Sequence, residues 1–321
     1  MSMPTIPPTT RTFIKVTEVW IPDRSGQFLE FSGGIYGDLN EFRRISRHER
    51  FNHGEGLPGA AWAQRRPVIL SEFTTENFKR TAAAHAAGLT CGIAYPVFAG
   101  EFLTGVLVFF CGEDEGNVGA IEVWGRDPTD QLGLKLDSGY YGNLKEFEFI
   151  SRHTTFRKGS GLPGMVWDRY MPVILDNMDD SGPFSRALDA TRAGITTALG
   201  LPCSASTRES FVLCLLSVGE LPIAQRYEIW EPDESLQVLH LKDAADESDV
   251  RHFEQMSTVQ LRRGEGLIGE VWRSGAPQIA DKLDMVVSPP FVSAKSAGLD
   301  HAVALPVLGN GFLKAVVVWY F

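Results

Sequence analysis

Two rhythms of apolar residues alternate along the chain. Runs rich in β-formers, such as FIKVTEVWI at 13–21, VLVFF at 106–110, FVLCLL at 211–216 and KAVVVWYF at 314–321, read as strands. Between them Leu39, Phe42 and Ile45 recur at three-residue intervals, as do Phe147 and Ile150, and Val250, Phe253 and Met256. This second spacing sets apolar side chains on one face of a helix. After each opening strand come turn residues and then a second strand candidate: QFLEF, LGLKL or LQVLHL.

The alternation occurs three times. GEGLPGAAW starts at 54, GSGLPGMVW at 159 and GEGLIGEVW at 264, so the interval is 105 residues each time. The flanks repeat as well. EVW at 18–20 returns as EVW at 122–124 and EIW at 228–230. AAGLTCGIAYP at 86–96 corresponds to RAGITTALGLP at 192–202 and SAGLDHAVALP at 296–306. The chain therefore divides into a tail, 1–10, and three units, 11–116, 117–221 and 222–321. Units of this size carry their own cores and exceed the usual solenoid repeat.

Each unit is expected to hold five or six strands and two or three helices. The closing pair, GIAYPVFA and LTGVLVFF in the first copy, meets at a turn near Gly100. In the second copy SGPFSRALDATRAG reads as a helix capped by Ser181, with Pro183 in its first turn and Gly194 ending it. Strands linked mostly by hairpins give a mainly antiparallel sheet flanked by helices, an α+β fold.

The glycine-rich stretch invites a phosphate reading, and its context argues against one. A nucleotide P-loop continues into Lys-Ser or Lys-Thr, whereas here the glycines lead into Ala-Ala, Met-Val or Glu-Val. Gly54, Gly56 and Gly59 have the spacing of a dinucleotide fingerprint, but neither a preceding strand nor a βαβ unit accompanies them. The stretch is better read as architecture: glycines for a tight entry to a helix, Pro58 or Pro163 in the first turn, and a tryptophan packing on the sheet.

GEGLPGAAWAQRRPVIL, NFKRTAAAHAAGLTCGIAYPV and LTGVLVFF together resemble the GAF domain family, as do GSGLPGMVWDRYMPVIL and FSRALDATRAG of the second copy. The third copy is a weaker match, with Ile268 in place of the proline. The resemblance implies three tandem GAF-like domains, each a central antiparallel sheet flanked by helices. It also implies sensing of small molecules such as cyclic nucleotides, haem, bilins or metabolites. Family members commonly carry signalling helices at both ends, whereas here about nine residues link one copy to the next, and no output domain is expected. Two arrangements stay open: three separate modules, or modules closed into a ring by pairing of the first strand with the last.

Composition narrows the function classes. The chain has 321 residues and a net charge of -10, which offers no general attraction to nucleic acid. No apolar run approaches the ~20 residues of a membrane helix, and no secretion signal is evident. Cys91, Cys111, Cys203 and Cys214 form neither a close-set disulfide framework nor a zinc pattern, which fits a cytoplasmic protein. No cofactor, metal or catalytic set is expected. Candidate pocket residues are His48 and His153, each in an ISRH segment, and Arg80 and Arg186 at the start of the helix that covers the pocket in this family. Such an arginine would meet an anionic ligand or pair with a nearby carboxylate, as in DATRAG.

The function expected is a non-enzymatic small-molecule sensor or protein-interaction scaffold. Its partners would be a small ligand or a signalling protein, with exposed edge strands as one docking route. The alternative is a cysteine-dependent redox enzyme of the free methionine sulfoxide reductase type, using Cys91 or Cys111.

Overall fold

The computed structural model describes residues 12–112, 119–126, 133–176, 186–203, 210–219, 222–246, 252–283, 288–309 and 311–321. The tail at 1–10 and the Ser181 cap with Pro183 lie outside the described residues.

Each copy forms one six-stranded antiparallel sheet. The first contains β1 (Ile14–Pro22), β2 (Phe28–Ile35), β3 (Arg50–Asn52), β4 (Val68–Leu70), β5 (Leu89–Ala99) and β6 (Phe102–Gly112), in the order β3-β2-β1-β6-β5-β4. The second contains β7 (Gly119–Arg126), β8 (Leu134–Tyr140), β9 (Thr155–Phe156), β10 (Val173–Leu175), β11 (Ile195–Cys203) and β12 (Phe211–Val218). The third contains β13 (Arg226–Pro232), β14 (Val238–Asp246), β15 (Gln260–Arg262), β16 (Gln278–Ala280), β17 (Ala302–Gly309) and β18 (Phe312–Tyr320). The strand order is equivalent in all three. The helices are α1 (Asn40–Ser46), α2 (Gly56–Gln64) and α3 (Thr81–Ala86); α4 (Lys145–Arg152), α5 (Gly161–Arg169) and α6 (Ala187–Arg192); and α7 (His252–Met256), α8 (Gly266–Ser274) and α9 (Pro289–Ser296).

The central strands, such as β1, β6, β7 and β12, are apolar on both faces, and both faces are buried. On β1, Val16, Glu18 and Trp20 point into the first module's own core, where Leu57 and Ala61 of α2 and Ala84 of α3 cover them. Val19 points the other way, with Leu107, Phe109 and Cys111 of β6. The same alternation gives Ile121 and Val123, then Tyr227, Ile229, Val317 and Trp319. These opposite faces of the three sheets meet in one central cluster, where Phe109 and Trp319 lie 5.8 Å apart.

Neighbouring modules also touch in a cycle: β4 lies against β8, β10 against β14, and β16 against β2. Each contact joins the same edge of one module to the same region of the next, so three head-to-tail contacts close a ring. The ring does not use strand exchange. β1 pairs with β2 and β6, and β18 pairs with β13 and β17, so every sheet is built within one copy. Ion pairs sit at two of the seams, Arg66 to Asp137 at 2.5 Å and Arg43 to Asp281 at 2.7 Å. Between the first two modules the buried Tyr95 hydroxyl also donates to the Pro202 carbonyl at 2.6 Å.

The glycine stretch is a strand-to-helix turn in all three copies: contrary to the expectation from sequence, a short strand, β3, β9 or β15, precedes it, too brief to show as a β pattern, but the sheet is antiparallel and no βαβ unit surrounds it. The N–H of Gly54, Gly159 and Gly264 donates to the carbonyl of Gly59, Gly164 and Gly269 at 2.8, 2.9 and 2.7 Å. A Cβ on Gly59, Gly164 or Gly269 would stand 2.1–2.2 Å from the backbone oxygen of Asn52, Arg157 or Arg262. The last glycine of the motif is therefore required by backbone approach. In the first copy the Glu55 carboxylate accepts from Asn52 N at 2.9 Å and pairs with Lys79 at 2.8 Å, so an anion of the chain's own already sits at the turn.

In the third copy the helical register differs from the expected one. Met256 is buried, but Phe253 is exposed and His252 takes the inward place; Val250 lies outside the described residues. Polar residues around this short helix hide which face turns inward, because the inward residue is itself polar. Among the described residues no helix is long and apolar enough to cross a membrane.

Candidate functional site

Each opening strand places one carboxylate inside its module: Glu18, Glu122 and Glu228, none of them exposed. A tryptophan two residues on shares the same face of the strand. Its indole N–H donates to that carboxylate at 2.9, 2.9 and 2.8 Å.

In the first module the Tyr36 hydroxyl donates to Glu18 at 2.8 Å. Arg80, just before α3, holds both carboxylate oxygens, with Nη1 to Oε1 at 2.5 Å and Nη2 to Oε2 at 3.0 Å. Arg80 also donates to the Ser46 hydroxyl of α1. Its guanidinium lies 4.8–5.8 Å from the ring centres of Trp20, Phe42, Phe51, Phe78 and Phe110, a cation set among aromatic rings. The second module repeats the plan. Arg186 donates to Glu122 at 2.9 and 2.8 Å, and Tyr141 and Ser151 donate to the same carboxylate at 3.0 and 2.8 Å. Burial alone would raise the pKa of Glu122, but the charge and hydrogen bonds of Arg186, with Ser151 and Trp124, hold it below the usual carboxylate value. Burial beside that carboxylate pushes the Tyr141 hydroxyl up.

The third module rewires the same carboxylate. Pro290 stands where Arg80 and Arg186 stand in the other copies, and His252 where Phe42 and Phe147 stand. Glu228 accepts from Tyr320 Oη at 2.8 Å and faces His252 Nε2 at 2.7 Å. The arginine has moved onto the strand: Arg226 pairs with Asp246 at 2.5 Å, both buried, and reaches the Ser293 hydroxyl at 3.2 Å.

Of the residues singled out in the sequence, Arg80 and Arg186 lie in these clusters, with both guanidiniums paired to carboxylates. His48 and His153 do not join them. Both are exposed, and each Nδ1–H donates to the carbonyl four residues back, Arg44 O at 2.8 Å and Phe149 O at 2.7 Å. The buried glutamates, Tyr36, Tyr141, His252 and Arg226 were not singled out. A signal for the glutamates was present: an acid in the same place of an apolar strand in all three copies.

Cys91 and Cys111 are paired in register across β5 and β6, and all four cysteines are free and buried. Burial raises the Cys91 thiol, with Cys111 adding to it, and pushes Cys203 up to about 12. A protonated thiol sealed in a core is a poor nucleophile, so these residues lend no support to the redox alternative. Among the described residues no group of three or more His, Cys, Asp or Glu side chains is placed to hold a metal ion. A cleft of about 210 Å³ opens between α4 and α6, lined by Lys145, Ile150, Asp189 and Arg192 among others.

A family model described as GAF domain matches residues 16–124. No curated protein matches the chain. Solved structures similar to it include the hypothetical protein SA1058 from S. aureus, at 16% identity over 30% of this chain and 80% of that one, with a TM-score of 0.25. The GAF domain of a phosphoenolpyruvate-protein phosphotransferase (ptsP) from Coxiella burnetii is 18% identical over 30% of this chain and 56% of that one, TM-score 0.25. The second GAF domain of DevS from Mycobacterium smegmatis is 20% identical over 30% and 59%, TM-score 0.23. The matches to these last two span little more than half of their length. The family model falls on the first sheet and the other two sheets repeat its strand order, so the fold is that of three tandem GAF-like modules.

Proposed function

We propose that the first two modules act by binding and not by turnover, within a rigid protein-interaction scaffold of three GAF-like modules in the cytoplasm. One observation carries this reading: in the first two modules the arginine that would greet an anionic ligand beneath the helices is sealed in and paired to the module's own glutamate. A ligand entering there would have to displace a buried ion pair, whose separation leaves an uncompensated charge. The cleft between α4 and α6, at about 210 Å³, falls below the ~300 Å³ at which small-molecule pockets begin.

The docking route expected from edge strands changes. The edges β3, β4, β9, β10, β15 and β16 are two or three residues long, and three of them lie against the next module. Phe102 and Phe312, at corresponding hairpin tips in the first and third modules, are 80% and 69% exposed and offer apolar contact instead.

The test is a thermal-shift panel on the whole chain with cyclic nucleotides, nitrate, haem, amino acids and free methionine sulfoxide. A scaffold with filled interiors keeps its midpoint within about 1 °C throughout. A rise of several degrees with any one compound, as a ligand bound to the native state gives, would establish sensing instead.

A further inference from the structure

The third module contains a set of groups that its rewired carboxylate does not need. Ser293, in α9, is partly exposed, and its Oγ stands 3.3 Å from His252 Nδ1. The other ring nitrogen, Nε2, is 2.7 Å from Glu228 Oε1. A carboxylate only accepts, so Nε2 carries the proton, and in the neutral ring the Nδ1 lone pair faces the Ser293 hydroxyl. Glu228 is itself held by Trp230 Nε1 and Tyr320 Oη, both at 2.8 Å, which fixes the imidazole behind the serine. Arg226 Nη1, anchored by Asp246, donates to the same Ser293 Oγ at 3.2 Å.

We propose that Ser293 is an acyl-accepting nucleophile, with His252 as its base, Glu228 positioning the imidazole and Arg226 offsetting negative charge on the reacting oxygen. Nucleophile, base and orienting carboxylate stand in the order and at the spacing that acyl transfer requires, a 3.3 Å first link being ordinary in an unliganded site. A histidine alone would have satisfied Glu228; the serine hydroxyl and the relocated arginine add a reaction partner. The other modules hold Phe42 with Ala83, and Phe147 with Asp189, at the corresponding positions, so this arrangement belongs to the third module alone. The role goes beyond the scaffold reading and leaves the first two modules as described.

The ligand class is an activated carboxylic ester or thioester. Ser293 Oγ attacks the carbonyl carbon while its proton passes to His252 Nδ1. The bond to the leaving alkoxide or thiolate breaks as the tetrahedral adduct collapses, and His252 returns the proton to it. Ser293 is left esterified. A water molecule attacking by the same route releases the carboxylic acid and restores the hydroxyl.

The probe is a fluorophosphonate, incubated with the full chain and read by intact mass and peptide mapping. Ser293 Oγ forms the bond to phosphorus, fluoride leaves, and the serine proton goes to His252. The expected result is one adduct per chain, on Ser293, absent in Ser293→Ala and at least tenfold slower in His252→Gln. The wild-type chain should also be acetylated on Ser293 by p-nitrophenyl acetate, with p-nitrophenol released. The acetyl adduct needs no variant, so it decides the matter even if His252→Gln does not fold. No adduct on Ser293 from either probe, or an adduct whose rate ignores the His252 change, would reduce His252 to a structural partner of Glu228 and overturn the proposal.

Discussion

Arg80 grips Glu18 through both oxygens, at 2.5 and 3.0 Å, and both side chains are sealed from water. The pair joins the entry to α3 to the central strand β1, and through Ser46 it also ties down α1. The first module's helices are thus held to its sheet by charge as well as by apolar contact.

Replacing Arg80 by Met strands that carboxylate in an aromatic core. The expected loss is about 3–5 kcal/mol, the usual cost of breaking a buried pair by removing one partner. Urea unfolding of Arg80→Met should show it. The double variant Glu18→Gln/Arg80→Met should recover part of the loss, because the stranded charge is gone.

The second module makes the chain sensitive to acid. Glu122 is held below the usual carboxylate value in the folded state, because Arg186, Ser151 and Trp124 outweigh its burial. The unfolded chain therefore binds that proton more readily. The stability from this group is complete above the unfolded-state value and is lost as pH falls through the lowered folded-state value. Urea midpoints between pH 6 and 3 should fall, and fall less steeply in Glu122→Gln.

Gly164→Ala tests the glycine turn apart from any ligand. The added methyl would stand 2.1 Å from the Arg157 oxygen, which is backbone and cannot step aside. We expect a loss of more than about 1 kcal/mol, beyond what glycine's conformational freedom alone accounts for. A neutral melting curve would remove the architectural reading of the motif.

The seams between modules should respond unequally. Arg66 to Asp137 and Arg43 to Asp281 are about one-third exposed at each end. Asp137→Asn or Asp281→Asn should cost under about 1 kcal/mol, with the effect shrinking in salt. Trp319→Ala, in the central cluster, should cost about 3–5 kcal/mol. If the ranking came out reversed, the ring would be held by its rim.

Much of one module could be read from the sequence. The glycine turn, the closing hairpin at Gly100 and the helix end at Gly194 are set by local chemistry, and each is found. The partner of Arg186 was not legible. The nearby acid Asp189 lies only three residues along the chain, but the arginine turns inward to Glu122 on β7. Such pairing depends on the fold and leaves no trace in spacing. The third module hides its wiring further, since Arg226 has migrated to the strand and His252 fills an aromatic position. The central cluster did leave a signal: strands apolar on both faces, as in FVLCLL, call for cover on both sides.

Three modules that share one central core should stand or fall together. Native-state hydrogen exchange of the intact chain, followed by mass spectrometry through a urea series, measures this strand by strand. The amides of β6, β12 and β18 should open with the same free energy and the same urea dependence. If one of these strands opened several kcal/mol earlier, with the other two still protected, the modules would be independent and the shared core would not be what holds them.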